Sequence, residues 1–167
     1  VTTYSDNVSL LTNSDIVVFA VKPQVLSIVC HELKNKASSD QLFVSIVAGI
    51  KSNDINRWLG GDFALVRTMP NTPALFQSGV TGLYANERVN DNQKESVNLL
   101  LSSVGECFWV NEENLLDAIT AISGSGPAYF FLMMQSMKQA AMALGLDEKT
   151  ADALSIKTSL GASIMAT

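Results

Sequence analysis

The sequence predicts an α/β fold: an incomplete parallel sheet flanked by helices, followed by an all-helical region. Short β-branched apolar runs alternate with helical periodicities through residues 1–112, the pattern of βαβ units and so of a parallel sheet. Strand patterning then stops, and from about residue 114 nearly everything reads as helix. The 167 residues, 47% of them hydrophobic, suffice for one full core or for one domain plus part of another. The expected division is therefore 1–112 for the α/β part and 113–167 for the helical part.

The chain begins at Val1 rather than methionine, and a few extended residues lead to a turn at Asp6-Asn7, so the start of a longer protein is expected to be missing. Residues 15–21 form a continuous apolar run, expected as a strand buried on both faces. Pro23 opens a helix over 24–36 with Val25, Ile28, Val29 and Leu33 at helical spacing, and residues 42–48 return as a second buried strand. A short helix near 53–59 stops at Gly60-Gly61, and a third strand over 63–69 runs into a loop containing Pro70 and Pro73. A strand over 80–84, a helix over 91–103 with Val97, Leu100 and Leu101 inward, and a strand over 106–110 complete this part.

In the helical part, Ser123-Gly124-Ser125-Gly126-Pro127 reads as a helix entry, with Ser125 or Gly126 as cap and Pro127 at the first helical position. Phe131, Leu132 and Met133 make that helix apolar all round at its start, so it is expected to be buried on several sides. Residues 148–167 continue as helix, and Ala151, Ala153, Ser159, Gly161, Ala162 and Ser163 leave room for another helix to approach. No cap or stop signal closes it, so truncation is expected here as well.

Composition narrows the function. A net charge of −5 and a pI near 4.7, with no local Lys/Arg cluster, give no footprint for a phosphate backbone, so nucleic acid is not an expected partner. No uncharged apolar run reaches the roughly 18 residues of a bilayer span; the longest lies around Pro127 to Met134. The mean hydropathy of +0.22 is assigned instead to subunit contacts. Cys30 and Cys107 lack CxxC spacing and only one histidine is present, so no metal site is expected and free thiols in a cytoplasmic protein fit best. His31 falls within a surface helix, Cys107 reads as a packed thiol, and Glu112 and Glu113 read as a solvated turn.

Three segments fall at carboxyl ends of expected strands, where open parallel sheets bind ligands. They are Ala20-Val21-Lys22-Pro23-Gln24, Ile46-Val47-Ala48-Gly49 and Met69-Pro70-Asn71-Thr72-Pro73. Taken singly, Lys22 fits a solvated cation, Ala48-Gly49 a tight turn and Pro-Asn-Thr-Pro a stiff turn; taken together on one sheet edge they fit a positioned site. Pro70 and Pro73 fix φ at about −65° and bias Met69 and Thr72 toward extended backbone, presenting Asn71 and Thr72 as a fixed polar pair. Neither GxxxxGK[ST] nor GxSxG occurs.

With Ala-Val-Lys-Pro-Gln at 20–24, Ser-Ile-Val-Ala-Gly at 45–49, Arg-Thr-Met-Pro-Asn-Thr-Pro-Ala at 67–74 and Ser-Gly-Ser-Gly-Pro-Ala-Tyr at 123–129, the chain resembles the Δ1-pyrroline-5-carboxylate reductases over its whole length. The resemblance implies an incomplete Rossmann-like, NAD(P)-binding domain and a helical dimerisation domain that builds homodimers or rings of dimers. It also implies hydride transfer from NADPH or NADH to the C=N carbon of 1-pyrroline-5-carboxylate, giving L-proline. Carried over by position, Asn7 resembles the adenosine-side contact. Ala20, Val21, Lys22 and Pro23, with Ile46, Val47 and Ala48, resemble the loops along the ribose, pyrophosphate and nicotinamide, and the Asn71 loop the nicotinamide border. The family's Gly-x-Gly-x-x-Gly turn and its Gly-Gly-Thr-Thr loop, whose Thr donates near the imine nitrogen, do not occur in this sequence. The chain is therefore expected to be a fragment lacking both ends and inactive by itself. Two other readings stay open: an inactive α/β dimerisation or ligand-binding module, and a β-hydroxyacid dehydrogenase-like enzyme using Lys138.

Overall fold

The computed structural model describes residues 2–167. The expected turn at Asp6-Asn7 is a short helix, α1 (Asn7–Thr12), because the extended Asp6 accepts hydrogen bonds from Ser9 N and Ser9 Oγ, both at 2.8 Å. This is an N-cap, which satisfies an otherwise orphaned backbone donor. There follow β1 (Ile16–Phe19), α2 (Pro23–Leu33), β2 (Leu42–Ser45), α3 (Ser52–Leu59) and β3 (Ala64–Met69). A 3-10 turn (Thr72–Phe76) leads to β4 (Gly79–Ala85), α4 (Asp91–Ser102) and β5 (Gly105–Trp109). The helical part comprises α5 (Leu115–Ile119), a π turn (Thr120–Gly124), α6 (Gly126–Ala143) and α7 (Glu148–Met165).

The five strands lie in the order β1-β2-β3-β4-β5. All neighbours are parallel except β3 and β4, which are antiparallel. The wholly parallel sheet expected from the sequence is thus corrected at one seam. Parallel neighbours need a crossover of about a dozen residues or more, usually through a helix, and the link over 70–78 holds only one 3-10 turn, so the chain returns as a hairpin.

Two apolar layers sandwich the sheet. Val17, Phe19, Phe43 and Leu65 pack with Leu26, Cys30, Ile55 and Leu59 of α2 and α3 on one face. Val44, Val66 and Leu83 pack with Val97 of α4 on the other. β2 is buried on both faces, as expected of its unbroken apolar run. β1 is not: Val18 is 43% exposed, because β1 is an edge strand and its Val18 side lies beyond the layer built around α4.

The helix phases also differ from expectation. α2 buries Leu26, Cys30 and Leu33 and leaves Val25 and Ile28 outward; a stripe at i, i+4, i+7 covers the core as well as the one expected, and only the sheet selects between them. Burial pushes the Cys30 thiol up to about 12, so it stays protonated as a core side chain. α4 turns Val97 and Leu101 inward and Leu100 out. It starts with a capping box, Asn90 Oδ1 accepting from Gln93 N at 2.9 Å and Gln93 Oε1 from Asn90 N at 3.0 Å.

The described chain divides into two compact units, Val1–Gly124 and Ser125–Thr167. Ser125 occupies the N-cap position of α6, but its side chain makes no capping bond. The residues before it form the π turn, from which Thr120 Oγ1 donates to Leu116 O and Ser123 Oγ to Ile119 O, and a bend at Ser125 follows. By length and composition the resulting stretch Leu115–Ala143 suffices to cross a membrane, longer than the apolar run seen in the sequence. In the second unit α6 packs on α7, yet Phe131, expected to be buried, is 62% exposed, and Tyr129, Phe130, Leu132 and Met133 are exposed with it. Two helices shield each other along one stripe only, which leaves an all-round apolar segment uncovered in a single chain.

Candidate functional site

β1, β2 and β3 run parallel with Phe19, Ser45 and Arg67 at one level, so their three carboxyl-terminal loops emerge on one edge. Hydrogen bonds knit that edge. Ile46 N donates to Phe19 O at 3.2 Å, Val47 N to Ser45 Oγ at 3.2 Å, and Thr68 Oγ1 to Ser45 O at 3.2 Å. Ala20 and Ala48 are exposed, Val21 and Ile46 half-buried, and Val47 is anchored in the core. Lys22 is exposed and extended immediately before α2, whose first position Pro23 takes, as Pro prefers. Gly49 holds φ +76 with open space beside it, a left-handed turn that returns the chain toward α3. Asn7 stands apart on α1, exposed, its Nδ2 donating to Glu32 Oε2 of α2 at 2.9 Å.

In the Pro70-Pro73 loop the extended residue is Asn71 (φ −126, ψ 167), whereas Thr72 already opens the 3-10 turn that Ala74 N closes on Asn71 O. That local bond overrides the extended bias of a residue before proline. The Asn71 side chain braces two elements: Nδ2 donates to Ser123 O at 3.0 Å, and Oδ1 accepts from Val80 N at 2.9 Å. Beside this brace, Val80, Gly82, Phe108, Ile119 and Ile122 line an apolar pocket of about 310 Å³. Gly82 allows the close approach there, since a Cβ would lie 2.5 Å from Ile119 Cδ1 and 2.8 Å from its Cγ2. Gly82→Ala is therefore expected to cost about 1–3 kcal/mol by overpacking, read as a lower denaturation midpoint; Gly82→Ala with Ile119→Val should recover part of it.

One charged group departs from expectation. Glu112 is exposed, but Glu113 is not the solvated residue its sequence suggested. Glu113 Oε1 accepts from Ser52 N at 2.6 Å and from Arg67 Nη1 at 2.9 Å, with side-chain exposures of 19% for Glu113 and 7% for Arg67. Burial by itself would raise the Glu113 pKa; the Ser52 N–H and the Arg67 guanidinium outweigh it and hold the carboxyl below its ordinary value. Tyr84, paired with Arg67 across the antiparallel seam, is shifted upward by burial and by the charges of Glu113 and Glu87. A signal for this pair existed in the sequence, because an arginine inside an apolar strand needs a carboxylate, but many carboxylates were candidates. Lys138, considered as an acid/base, donates to Glu148 at 3.0 Å and lies 3.2 Å from Asp152. Hydrogen bonds to Glu148 and then Asp152 raise its pKa, the wrong direction for a proton donor-acceptor near neutrality.

Residues 113–167 match the family described as pyrroline-5-carboxylate reductase dimerisation, and residues 1–49 the family described as NADP oxidoreductase, coenzyme F420-dependent. Over 160 residues the chain is 48% identical to the pyrroline-5-carboxylate reductase of Pseudomonas aeruginosa, covering 96% of this chain and 59% of that protein. Along nearly its whole length the chain is similar to pyrroline-5-carboxylate reductases, and its last third matches their dimerisation model. The solved pyrroline-5-carboxylate reductase of Coxiella burnetii aligns with a TM-score of 0.94 at 43% identity, over 99% of this chain and 62% of that one. That of Plasmodium falciparum, solved with NADP bound, aligns at 0.90 and 33% identity, over 97% and 61%. The chain thus spans about three fifths of the length of the reductases it matches. The α/β sheet followed by helices is the reductase arrangement, a Rossmann-like unit ahead of a dimerisation region.

Proposed function

We propose that the chain belongs to a reductase that passes hydride from NADPH or NADH to the C=N carbon of 1-pyrroline-5-carboxylate, giving L-proline, the last step of proline biosynthesis. The observation that carries this reading is the shared edge of β1, β2 and β3, with its three loops, in a chain this similar to the reductases. Ala20, Val21, Lys22 and Pro23, with Ile46, Val47 and Ala48, line the cofactor along its ribose, pyrophosphate and nicotinamide, and Asn7 faces its adenosine side. The residues present fit such a group: Ala20 and Ala48 leave backbone open at the edge, and the exposed Lys22 offers a cation to phosphate. The cofactor, when bound, supplies the hydride; the protein supplies placement. Asn71 holds its loop against Val80 and Ser123, so that the loop borders the nicotinamide as one rigid wall.

Residues 113–167 form the dimerisation domain of this reading and 1–112 its cofactor domain, a division supported by where the dimerisation match begins. The exposed apolar start of α6 meets a second copy, and the assembled enzyme works in the cytoplasm without nucleic-acid or membrane partners. Phe131→Asp is accordingly expected to shift the full-length protein toward monomer in sedimentation; unchanged mass would count against this contact. Asn71→Ala is expected to lower stability by about 1–2 kcal/mol through two lost hydrogen bonds and to depress turnover by more than that loss explains. Equal losses of rate and stability would contradict the positioning role.

The reading is tested by supplying the full-length gene product with 1-pyrroline-5-carboxylate and either cofactor. Imine-dependent oxidation of one of them, with proline as product, supports it; no oxidation of either overturns it.

A further inference from the structure

We propose that Glu113 is a positioning residue for the loop over 46–51: its carboxylate pins the far end of that loop through Ser52 and is itself held in place by Arg67. The inference rests on the reading of that loop as a cofactor contact. The near end of the loop is tied into the sheet three times, by Ile46 N to Phe19 O, Val47 N to Ser45 Oγ and Thr68 Oγ1 to Ser45 O. Its middle is a turn that exposes Ala48 and puts Gly49 in the left-handed region, between Val47 in the core and the half-buried Ile50 packed against it. At the far end Lys51 O accepts only from α3's own first turn, Asp54 N and Ile55 N. Among the described residues, the bond that ties this end to another part of the molecule is Ser52 N to Glu113 Oε1, at 2.6 Å. The same oxygen receives the buried Arg67, which lies opposite Ser45 in the β2–β3 register. One carboxylate oxygen thus fixes the distance between the start of α3 and the strand that leads into the Asn71 loop. A charge-assisted bond to a backbone N–H is short and directional, which suits a tether that must hold a loop to a fraction of an ångström.

This couple was not visible as a site, because neither Glu113 nor Arg67 lies in a loop at the cofactor edge. Ser52 occupies the first position of α3, and Lys51 before it is extended (φ −77, ψ 152), so proline is sterically acceptable at 52 and removes both the donor N–H and the buried hydroxyl that Ser52 turns to the Glu113 carboxylate. Ser52→Pro therefore addresses the tether separately from the Arg67–Glu113 pair.

The test uses the full-length gene product, with NADPH and NADH titrated in the absence of imine, and kcat and KM measured well below each variant's melting temperature. Ser52→Pro is expected to weaken cofactor binding roughly tenfold, the effect of losing one charge-assisted hydrogen bond, and Glu113→Gln, whose amide oxygen still accepts from Ser52 N without the charge, to weaken it by a smaller factor. At saturating cofactor, kcat should change less than about twofold and the imine KM should stay put. The double variant should bind no worse than the weaker single, since both act on one bond. Asn90→Ala, which removes the cap of α4 away from this loop, should lower the melting temperature without changing cofactor affinity. Unaltered affinity in both Glu113→Gln and Ser52→Pro overturns the inference while leaving the reductase reading intact, as does an equal loss in Asn90→Ala. Wild-type protein that binds neither cofactor overturns both.

Discussion

Phe43→Ala is expected to destabilise the first unit by about 3–5 kcal/mol, the range for emptying a fully buried aromatic site. Phe43 is 0% exposed at the centre of β2. Its ring stacks on Phe19 at 5.6 Å and 12°, and meets Phe63 edge-on at 5.3 Å and 63°. Each geometry is one that the aromatic quadrupole favours, so the truncation removes area and two oriented contacts together. For a chain of this size each kcal/mol shifts the melting temperature by about 2–4 °C, which makes a fall of about 6–20 °C the expected calorimetric result. Phe43→Leu, which keeps most of the volume, should lose less than half as much. Equal losses would mean that ring geometry, rather than the filling of space, sets the stability of this layer. Phe19 is the last residue of β1 and directly precedes Ala20, so the same cavity loosens the support of the loop that follows β1.

Glu113→Ala is expected to cost about 3 kcal/mol, the low end for breaking a buried ion pair. Arg67 would keep its charge at 6% exposure with no carboxylate beside it, and its Nε already has no hydrogen-bond partner. Replacing both residues, as Arg67→Met with Glu113→Leu, should recover most of the loss, because desolvating two charges offsets much of their attraction. A double variant no more stable than Glu113→Ala would show that the pair does more for the fold than neutralise itself. The pair also sets an acid limit. The Glu113 carboxyl is held below its ordinary 4.5 in the folded chain, so its contribution is complete above that value and is lost as pH falls through the folded pKa. Stability of the wild type should decline in that acid window more steeply than that of Glu113→Gln, in which no proton is taken up at this position.

Much of the candidate site, the shared edge of three loops, was legible because it is written locally. Lys22-Pro23, Ala48-Gly49 and Pro70-Asn71-Thr72-Pro73 are punctuation that ends strands, and strands of a βαβ run end on one edge whatever surrounds them. The antiparallel return of β4 was legible in principle from the short 70–78 link, but the alternating periodicity on either side masked it. The phase of α2 was not legible, since Val25-Ile28-Val29 and Leu26-Cys30-Leu33 are equally good apolar stripes. Asp6 was read as a turn former where it is a helix cap, two uses of the same side-chain acceptor that differ only in the backbone after it.

By itself the sequence determined the α/β class, the positions of the five strands and of the helices after α1, the three loops that share an edge, and the resemblance to the reductases. These rest on hydrophobic period, on Gly and Pro, and on ordered short motifs, all of which act within a few residues of chain. Only the tertiary structure decided that Glu113 is the carboxylate of Arg67, that Asn71 spans Val80 and Ser123, and that the start of α6 stays uncovered in a single chain. Arg67 and Glu113 are 46 residues apart. Which of several acids meets a buried guanidinium over that separation is settled by how strand, hairpin and helix pack, because the cost of an unpaired buried charge is felt only once the core has closed around it.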